Sequence, residues 1–198
     1  RLKSVVFDLP KPLAPVCGRP FLLYLIENYV SQGGREFIFL LHYEATLIQS
    51  MIAEMSSYDN FSNIKITFIV EDKPLGTGGS IKNAINFLNI RESFLVVNAD
   101  TWLGDGLREL NCSTPNSIAA VTVKDCSRYG TLVVDNDKVT NFLEKDSYNR
   151  RGLINAGLYH LSPDIFLDST KSRSFSLESR IFPAIAKKMG LNVVQVVS

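Results

Sequence analysis

Short segments of almost continuously apolar residues recur through the first two thirds of the chain. These segments are Phe37 to Leu41, Ile64 to Val70, Phe94 to Asn98 and Ser117 to Val123. They predict strands, and because several of them leave no polar face for water, these are expected to be buried inside a sheet.

Segments with helical periodicity separate these strands. Apolar residues recur on one helical face from Phe21 to Val30, before Gly33 and Gly34, and again from Leu47 to Met55. Strands that alternate with helices predict a mostly parallel, mixed sheet covered on both faces, which is a Rossmann-like three-layer α/β/α sandwich. In such folds, ligands bind beyond the carboxyl ends of the strands.

The second half of the chain changes character. It indicates two strands around the turn Asp135-Asn136-Asp137 and a further strand from Gly152 to Leu161, which together predict a β-rich flap. A helix that starts after the N-cap Ser176 and runs up to Gly190, followed by a last strand, completes the pattern. Since no repeat or linker interrupts the chain, we predict a single domain over residues 1–198.

Composition narrows the classes of partner. The chain has 21 Lys and Arg against 20 Asp and Glu, a net charge of +1, so it lacks the basic field of nucleic-acid-binding proteins. Cys17, Cys112 and Cys126 form no CxxC pair, which predicts buried free thiols in a reducing compartment rather than disulfides or a zinc site. No apolar run or signal-peptide pattern suggests a membrane. We therefore expect a cytoplasmic protein with no nucleic-acid or membrane partner.

A glycine-rich loop, PLGTGGS, joins the predicted strand at Val70 to a helical segment. Its spacing does not match the P-loop, and Ile81 stands where the dinucleotide-binding fingerprint requires its third glycine. What remains is a turn of small residues at the start of a helix, which can bring backbone close to a flat or anionic ligand. A plain strand-to-helix turn needs about one glycine, so three favour a functional loop.

Two charged residues stand at positions suited to phosphate chemistry. Asp100 follows an apolar strand at the sheet edge where ligands bind, and its carboxylate suits Mg²⁺; a turn-capping aspartate is the equally supported alternative. Lys11 lies between two prolines, which hold it on a stiff, extended segment; an ordinary surface lysine is the alternative.

In their order along the chain, these pieces resemble the sugar-1-phosphate nucleotidyltransferases. The resemblance rests on RLKSVVFDLPKP, PLGTGGSIKNA, VVNADTW, RYGTLV, FLEKD, LINAGLYHL and FSLESRIFP. Among the branches of that family, the chain looks most like the D-glycero-D-manno-heptose 1-phosphate guanylyltransferases, with the mannose-1-phosphate enzymes next. The resemblance implies GTP and a sugar 1-phosphate as substrates, Mg²⁺ as cofactor and a sugar-binding role for the β-rich flap. It leaves a homo-oligomer open.

The resemblance also carries residue roles. Lys11 is similar to the family lysine near the reacting phosphates, Asp100 to the metal-binding aspartate, and Arg1 to the arginine that ends the loop GGxGTR. The implied nucleotide contacts are Glu71, Gly76 and Thr77, and the implied sugar-phosphate contacts are Gly130, Glu144, Lys145, Asn155 and Gly157. For Glu71, the alternative is a solvated strand-end residue, with backbone near Gly76 reading the base.

The rest of that loop and the second metal-binding aspartate of the family have no match in the 198 residues. Either the protein continues beyond them or its metal site is incomplete. A regulatory relative that binds nucleotide or sugar phosphate without turnover therefore stays open, as does, more weakly, a Rossmann-type oxidoreductase.

The reaction implied by the resemblance needs charge stabilisation and positioning rather than a covalent enzyme intermediate. Ser80 has no base near it in the sequence. His42 and His160 lie among apolar residues, which predicts structural histidines, and Cys17 is predicted to serve in packing.

Overall fold

The computed structural model describes residues 9–55, 61, 63–143, 150–167, 173–188 and 190–196. The chain forms two compact units, Arg1–Pro74 and Leu75–Ser198. The boundary between them falls between Pro74 and Leu75, just before the glycines of PLGTGGS. Whether the chain is one domain stays a prediction.

The first unit contains a parallel pair of strands and two amphipathic helices. Its elements are a 3-10 turn at Lys11–Leu13, β1 (Pro15–Val16), β2 (Arg19–Pro20), α1 (Phe21–Ser31), β3 (Glu36–Leu41), α2 (Ala45–Met55) and β4 (Lys65–Val70). Strands β3 and β4 are parallel and in register from Glu36↔Lys65 to Leu41↔Val70. Helix α1 buries Leu22, Leu25, Ile26 and Tyr29, which is the face that its periodicity predicts. Burial raises the pKa of Tyr29 to about 12.

The short hairpin of β1 and β2 explains why Cys17 is not a packing residue. Cys17 and Gly18 form its turn with φ angles of 49° and 79°, and Cys17 is exposed. Cys112 is also exposed, whereas Cys126 is buried. The expectation of buried thiols is therefore wrong for two of the three cysteines, because one lies in a turn and the other caps the end of a short helix.

The second unit contains a six-stranded mixed sheet. Its elements are α3 (Gly76–Leu88), β5 (Phe94–Val97), α4 (Leu107–Asn111), β6 (Ser117–Val123), β7 (Thr131–Asp135), β8 (Lys138–Leu143), β9 (Gly152–Leu161), 3-10 and π turns at Pro163–Phe166 and Leu177–Ile181, α5 (Phe182–Lys188) and β10 (Leu191–Gln195). The strand order is β5-β9-β6-β10-β8-β7, and β7 pairs with β9 as well. The predicted α/β class with a mixed sheet is confirmed.

Strand β9 lies inside this sheet rather than in a separate flap, which corrects the prediction for Gly152 to Leu161. Its first half pairs with β7 and β6, and its second half pairs with β5 and β6, each time antiparallel. Every residue from Ala156 to Leu161 is buried. This strand had to be central because a run of buried residues needs cover on both faces. By contrast, β10 is parallel to β6.

Turn and cap residues act as the sequence predicts. Asn136 and Asp137 adopt φ angles of 48° and 59° in the β7–β8 turn, as tight hairpins require. The hydroxyl oxygen of Ser176 accepts a hydrogen bond from the Ser179 amide at 3.1 Å, so it is the N-cap. The predicted helix is divided, however, into the π turn and α5. Pro183 follows the first residue of α5, where its missing N–H costs least.

Helix α4 was not predicted, since it spans only Leu107–Asn111 and buries just Leu107 and Leu110. Within the part of the chain that is described, no helix has both the length and the apolar character needed to cross a bilayer.

The central position of β9 makes a stability prediction. Leu158 is 0% exposed and faces β5 at Val97. We expect Leu158→Ala to lower the free energy of unfolding by about 2–5 kcal/mol, because it removes buried methyl groups and leaves a cavity. Val133→Ala is the control, since Val133 on β7 is 38% exposed. Urea titration followed by circular dichroism measures both, and equal effects would contradict a central β9.

Candidate active site

The predicted site residues are distributed over both units. The first unit carries Lys11 and Glu71, and the second carries Gly76, Thr77, Asp100, Gly130, Asn155 and Gly157. Arg1, Glu144 and Lys145 lie outside the described residues.

Lys11 begins the 3-10 turn Lys11–Leu13 and is exposed. Pro10 before it is extended, and the Ala14 amide donates to the Lys11 carbonyl at 3.1 Å. Because Leu13 is buried two residues later, the turn is anchored. The backbone under this lysine is thus held in place, but in a 3-10 turn rather than on the extended segment that the flanking prolines predict.

Glu71 follows β4 and is only 9% exposed. Its amide donates to the Leu41 carbonyl at 2.8 Å, and its carbonyl lies 2.9 Å from Nδ1 of His42. A carbonyl oxygen only accepts, so Nδ1 of His42 carries the hydrogen in this bond. The alternative of a solvated Glu71 is therefore wrong, and His42 itself is exposed rather than enclosed by apolar residues.

The three glycines of PLGTGGS are explained by a second segment of chain, residues 173–177. A Cβ on Gly76 would lie 2.7 Å from the Phe175 carbonyl oxygen, and one on Gly78 would lie 2.5 Å from the Phe175 ring. A Cβ on Gly79 would lie 2.5 Å from the carbonyl oxygen of Arg173. Gly76 also has a φ of +70°, where side chains are strained. Close packing against the backbone at Gly76 and Gly79, and against the Phe175 ring at Gly78, therefore explains all three glycines.

The first amides of α3 are used within the protein. The amides of Gly78 and Gly79 donate to the Phe175 carbonyl at 3.0 and 3.2 Å, while the Phe175 amide donates to Leu75 at 2.9 Å. Free amides at a helix start can bind an anion, but these two already have an acceptor. What the loop exposes instead is Gly76 and Thr77.

A bulge in β9 orients Asn155. Ile118 of β6 pairs with Tyr159 and Ala120 pairs with Asn155, so three residues of β9 lie opposite one residue of β6. Gly157 in the bulge has a φ of +74°, and its amide donates to Oδ1 of Asn155 at 2.8 Å. The Gly157 carbonyl accepts from the Asn98 amide at 2.8 Å. The bulge thus ties Asn155 to the end of β5.

The buried hydroxyl of Tyr159 joins several of these groups. It accepts a hydrogen bond from Nδ2 of Asn155 at 2.8 Å. Burial raises the pKa of Tyr159 well above its usual value, the side-chain hydrogen bonds from Asn155 and Asn98 lower it, and the charges of Glu178 and Asp100 raise it. The hydroxyl is therefore neutral, and the site residues Asp100 and Asn155 act on the same atom.

Asp100 is exposed in the turn that follows β5, where the Thr101 amide donates to the Asn98 carbonyl at 3.4 Å. Gly130 is exposed just before β7. The pair Thr131↔Ile154 places Gly130 beside Asn155, one step further along the antiparallel ladder. Two of the predicted sugar-phosphate contacts are thus neighbours in the sheet.

Sequence reasoning assigned no role to Asn98, Tyr159 or Glu178. All three belong to segments that carried the family resemblance, VVNADTW, LINAGLYHL and FSLESRIFP. Tyr159 and Glu178 are separated by 19 positions, and only the fold shows that the charge of one acts on the hydroxyl of the other.

The close packing of the glycine loop makes a prediction that opposes helix propensity. Alanine is normally about 1 kcal/mol better than glycine inside a helix. We expect Gly78→Ala to destabilise the protein instead, by about 1–3 kcal/mol, because the new methyl group collides with the Phe175 ring. Asn83→Ala, at an exposed position of the same helix, is the control and should not destabilise. Thermal unfolding compares the two, and a stabilised Gly78→Ala would contradict the packing.

Known proteins are similar to this chain in sequence and in fold. The sequence pattern of the Nucleotidyl transferase family matches residues 1–194. The chain is 36% identical over 179 residues to the D-glycero-alpha-D-manno-heptose 1-phosphate guanylyltransferase of Campylobacter jejuni, which covers 90% of this chain and 78% of that protein. It is 32% identical over 200 residues to the mannose-1-phosphate guanyltransferase of Candida albicans, covering 96% of this chain and 54% of that protein.

The solved structure of HddC from Yersinia pseudotuberculosis complexed with GMP-PN is similar with a TM-score of 0.81 at 35% identity. That match covers 100% of this chain and 85% of HddC. The agreement in sequence and in fold therefore extends over the glycine loop, the end of β5 and the β9 bulge together. This chain belongs to the nucleotidyl transferase family.

Proposed function

We propose that this protein is a guanylyltransferase that couples D-glycero-α-D-manno-heptose 1-phosphate with GTP, giving the GDP-sugar and pyrophosphate. The observation that carries the proposal is the similarity to the Campylobacter jejuni guanylyltransferase across nine tenths of the chain. The geometry supports it, since local hydrogen bonds hold Lys11, Glu71 and Asn155, the residues proposed to contact phosphate, base and sugar.

The proposed reaction joins two anions. A phosphate oxygen of the sugar 1-phosphate attacks the α-phosphorus of GTP, and the bond from that phosphorus to the pyrophosphate oxygen breaks. Two unit charges about 4 Å apart repel by about 4 kcal/mol at an effective dielectric of about 20, so charge neutralisation is the main requirement. Lys11, exposed on an anchored turn, supplies a positive charge for this purpose. No covalent intermediate with the protein is needed.

The residues around Asp100 fit Mg²⁺. Within the described ranges, no three or more His, Cys, Asp or Glu side chains form a group that could hold a metal ion by themselves. Mg²⁺ does not need such a group, because it commonly binds one or two carboxylates together with substrate phosphates and water. Asp100 would hold the ion, which would offset phosphate charge when bound.

Asn155 is suited to a sugar hydroxyl because its amide is already oriented. Its Oδ1 accepts from the Gly157 amide and its Nδ2 donates to Tyr159, which leaves one N–H and one lone pair. A hydroxyl group can accept from the first and donate to the second. Gly130, beside Asn155 in the ladder, would let the sugar phosphate approach the backbone.

Glu71 is the proposed reader of guanine. The Watson–Crick edge of guanine presents two adjacent donors, N1–H and the exocyclic amine, and a carboxylate offers two acceptors. Adenine has an acceptor at N1, so it matches a carboxylate less well. The low exposure of Glu71 supports this role, since a desolvated acceptor discriminates more strongly than a solvated one.

The sugar is the finer part of the proposal. Heptose differs from mannose by an additional hydroxymethyl group, and the similarity to the Candida albicans protein keeps mannose 1-phosphate as the second candidate. The alternative function is that of a regulatory protein that binds nucleotide or sugar phosphate without turnover. Cytoplasmic location and a homo-oligomer remain expectations.

The test is a substrate panel. The full-length protein is incubated with each nucleoside triphosphate, Mg²⁺ and a set of sugar 1-phosphates, and pyrophosphate release is followed. We expect the fastest release with GTP and the heptose 1-phosphate. Turnover with mannose 1-phosphate and none with the heptose would reassign the sugar. Binding of GTP without turnover of any sugar would favour the regulatory alternative.

Base selectivity tests Glu71. We expect Glu71→Ala to lower the preference for GTP over ATP by about tenfold to a hundredfold, since a good bidentate contact discriminates by about 1–3 kcal/mol. Glu71→Gln, which exchanges one acceptor for a donor, should lower it less. Glu54→Ala removes an exposed carboxylate of the same unit and is the control. The measurement is the ratio of kcat/KM for GTP to kcat/KM for ATP. A Glu71→Ala variant with the wild-type ratio would show that Glu71 does not recognise guanine.

Metal dependence tests Asp100. We expect Asp100→Asn to abolish Mg²⁺-dependent turnover while circular dichroism and Tm stay close to wild type, because the change removes charge but hardly any volume. Asp135→Asn, at the exposed end of β7, is the matched control. Turnover at several Mg²⁺ concentrations is the measurement. A wild-type turnover rate in Asp100→Asn would contradict the proposal that Asp100 binds Mg²⁺.

A further inference from the structure

Glu178 has an unassigned carboxylate in contact with the glycine loop. It lies in the π turn Leu177–Ile181 and is half-buried. Its Oε2 accepts two hydrogen bonds, one from the Thr77 hydroxyl at 2.9 Å and one from the Ser176 hydroxyl at 2.8 Å. Hydrogen bonds to a charged acceptor are stronger than neutral ones. This carboxylate therefore joins the start of α3 to a residue 101 positions further along the chain.

The Thr77 hydroxyl is committed to this contact. Besides donating to Glu178, it accepts from the Leu177 amide at 2.8 Å. A hydroxyl has a single hydrogen, so the side chain cannot also donate to a nucleotide. Only the backbone of Thr77 and of its neighbour Gly76 can then face a ligand. The side chain instead determines where that backbone lies.

Other polar contacts hold the residues around Thr77, including the Ser80 hydroxyl, which donates to the Gly76 carbonyl at 2.8 Å. The Phe175 carbonyl binds the amides of Gly78 and Gly79, which lie one and two residues beyond Thr77. Gly76 itself, with φ +70°, has no side chain to restrict its conformation. The Thr77 hydroxyl is the side-chain contact that holds the exposed residue Thr77 itself.

We propose that Glu178 is a positioning residue for the nucleotide, which holds Gly76 and Thr77 in their binding conformation through the Thr77 hydroxyl. The inference rests on the proposed guanylyltransferase function. It assigns to Glu178 the role of a hydrogen-bond acceptor. A glutamine can keep that role because its side-chain oxygen also accepts, whereas an alanine cannot.

The experiment uses four variants of the full-length protein, with kcat and the KM of each substrate measured separately. We expect Thr77→Val and Glu178→Ala to raise the KM for GTP about tenfold, because each removes the hydrogen bond between Thr77 and Glu178. Thr77→Ser should restore most of the loss, since serine keeps both hydrogen bonds. Glu178→Gln should likewise keep a KM for GTP close to that of wild type, since the side-chain oxygen of glutamine still accepts. The KM for the sugar 1-phosphate and kcat should change by less than about threefold.

A double variant and a control complete the design. Thr77→Val combined with Glu178→Ala should raise the KM for GTP by less than the product of the two single effects, because both changes remove the hydrogen bond between Thr77 and Glu178. Thr140→Val is the control, since the Thr140 hydroxyl donates to the Val133 carbonyl in the β7–β8 hairpin and takes no part in the loop. It should leave both KM values unchanged.

Three results would overturn the inference. These are a wild-type KM for GTP in Thr77→Val, additive effects in the double variant, and equal loss in Glu178→Gln and Glu178→Ala, which would assign the role to charge. Failure of the proposed function is distinguishable, because wild-type protein would then not turn over GTP at all. If wild type turns over GTP and Thr77→Val behaves like it, only the role of Glu178 is lost.

Discussion

The close approach between the glycine loop and residues 173–177 is the constraint on which the candidate site depends. Two backbone segments meet where the Gly76 and Gly79 positions leave no space for a Cβ. The Phe175 carbonyl then serves as the acceptor for the start of α3, a task that other helices give to a capping side chain. The position of Thr77, and through Glu178 that of the π turn, follows from this contact.

Tyr159 is the second residue on which the candidate site depends. The Tyr159 ring packs against Phe182, with ring centroids 4.9 Å apart, so the start of α5 and the middle of β9 support each other. At its polar end, the hydroxyl holds the amide of Asn155. A single side chain thus connects the apolar core with the polar surface proposed for the sugar. An apolar residue in place of Tyr159 would therefore leave the amide of Asn155 without this hydrogen-bond acceptor.

The sequence was most informative where local patterns decide the structure. Apolar runs located β3 to β6, and positive-φ residues such as Asn136 marked the hairpin turn. It was misleading for β9, because a buried strand in the middle of a sheet and a strand in a flap have similar apolar patterns. In the candidate site, motif order located Asp100 and Asn155. It could not reveal Glu178, since its contact with Thr77 joins positions far apart in the chain and leaves no local pattern.

Strand β10 has a consequence for how the protein is made. It is the last strand described, yet it lies between β6 and β8 inside the sheet. Until residues 191–195 have left the ribosome, β6 and β8 each have an open edge whose amides and carbonyls can pair with another chain. Domains usually begin to fold as they are synthesised, but this sheet can be completed only after β10 has been synthesised. The nascent chain therefore passes through a stage in which its own missing strand can be replaced by a foreign one.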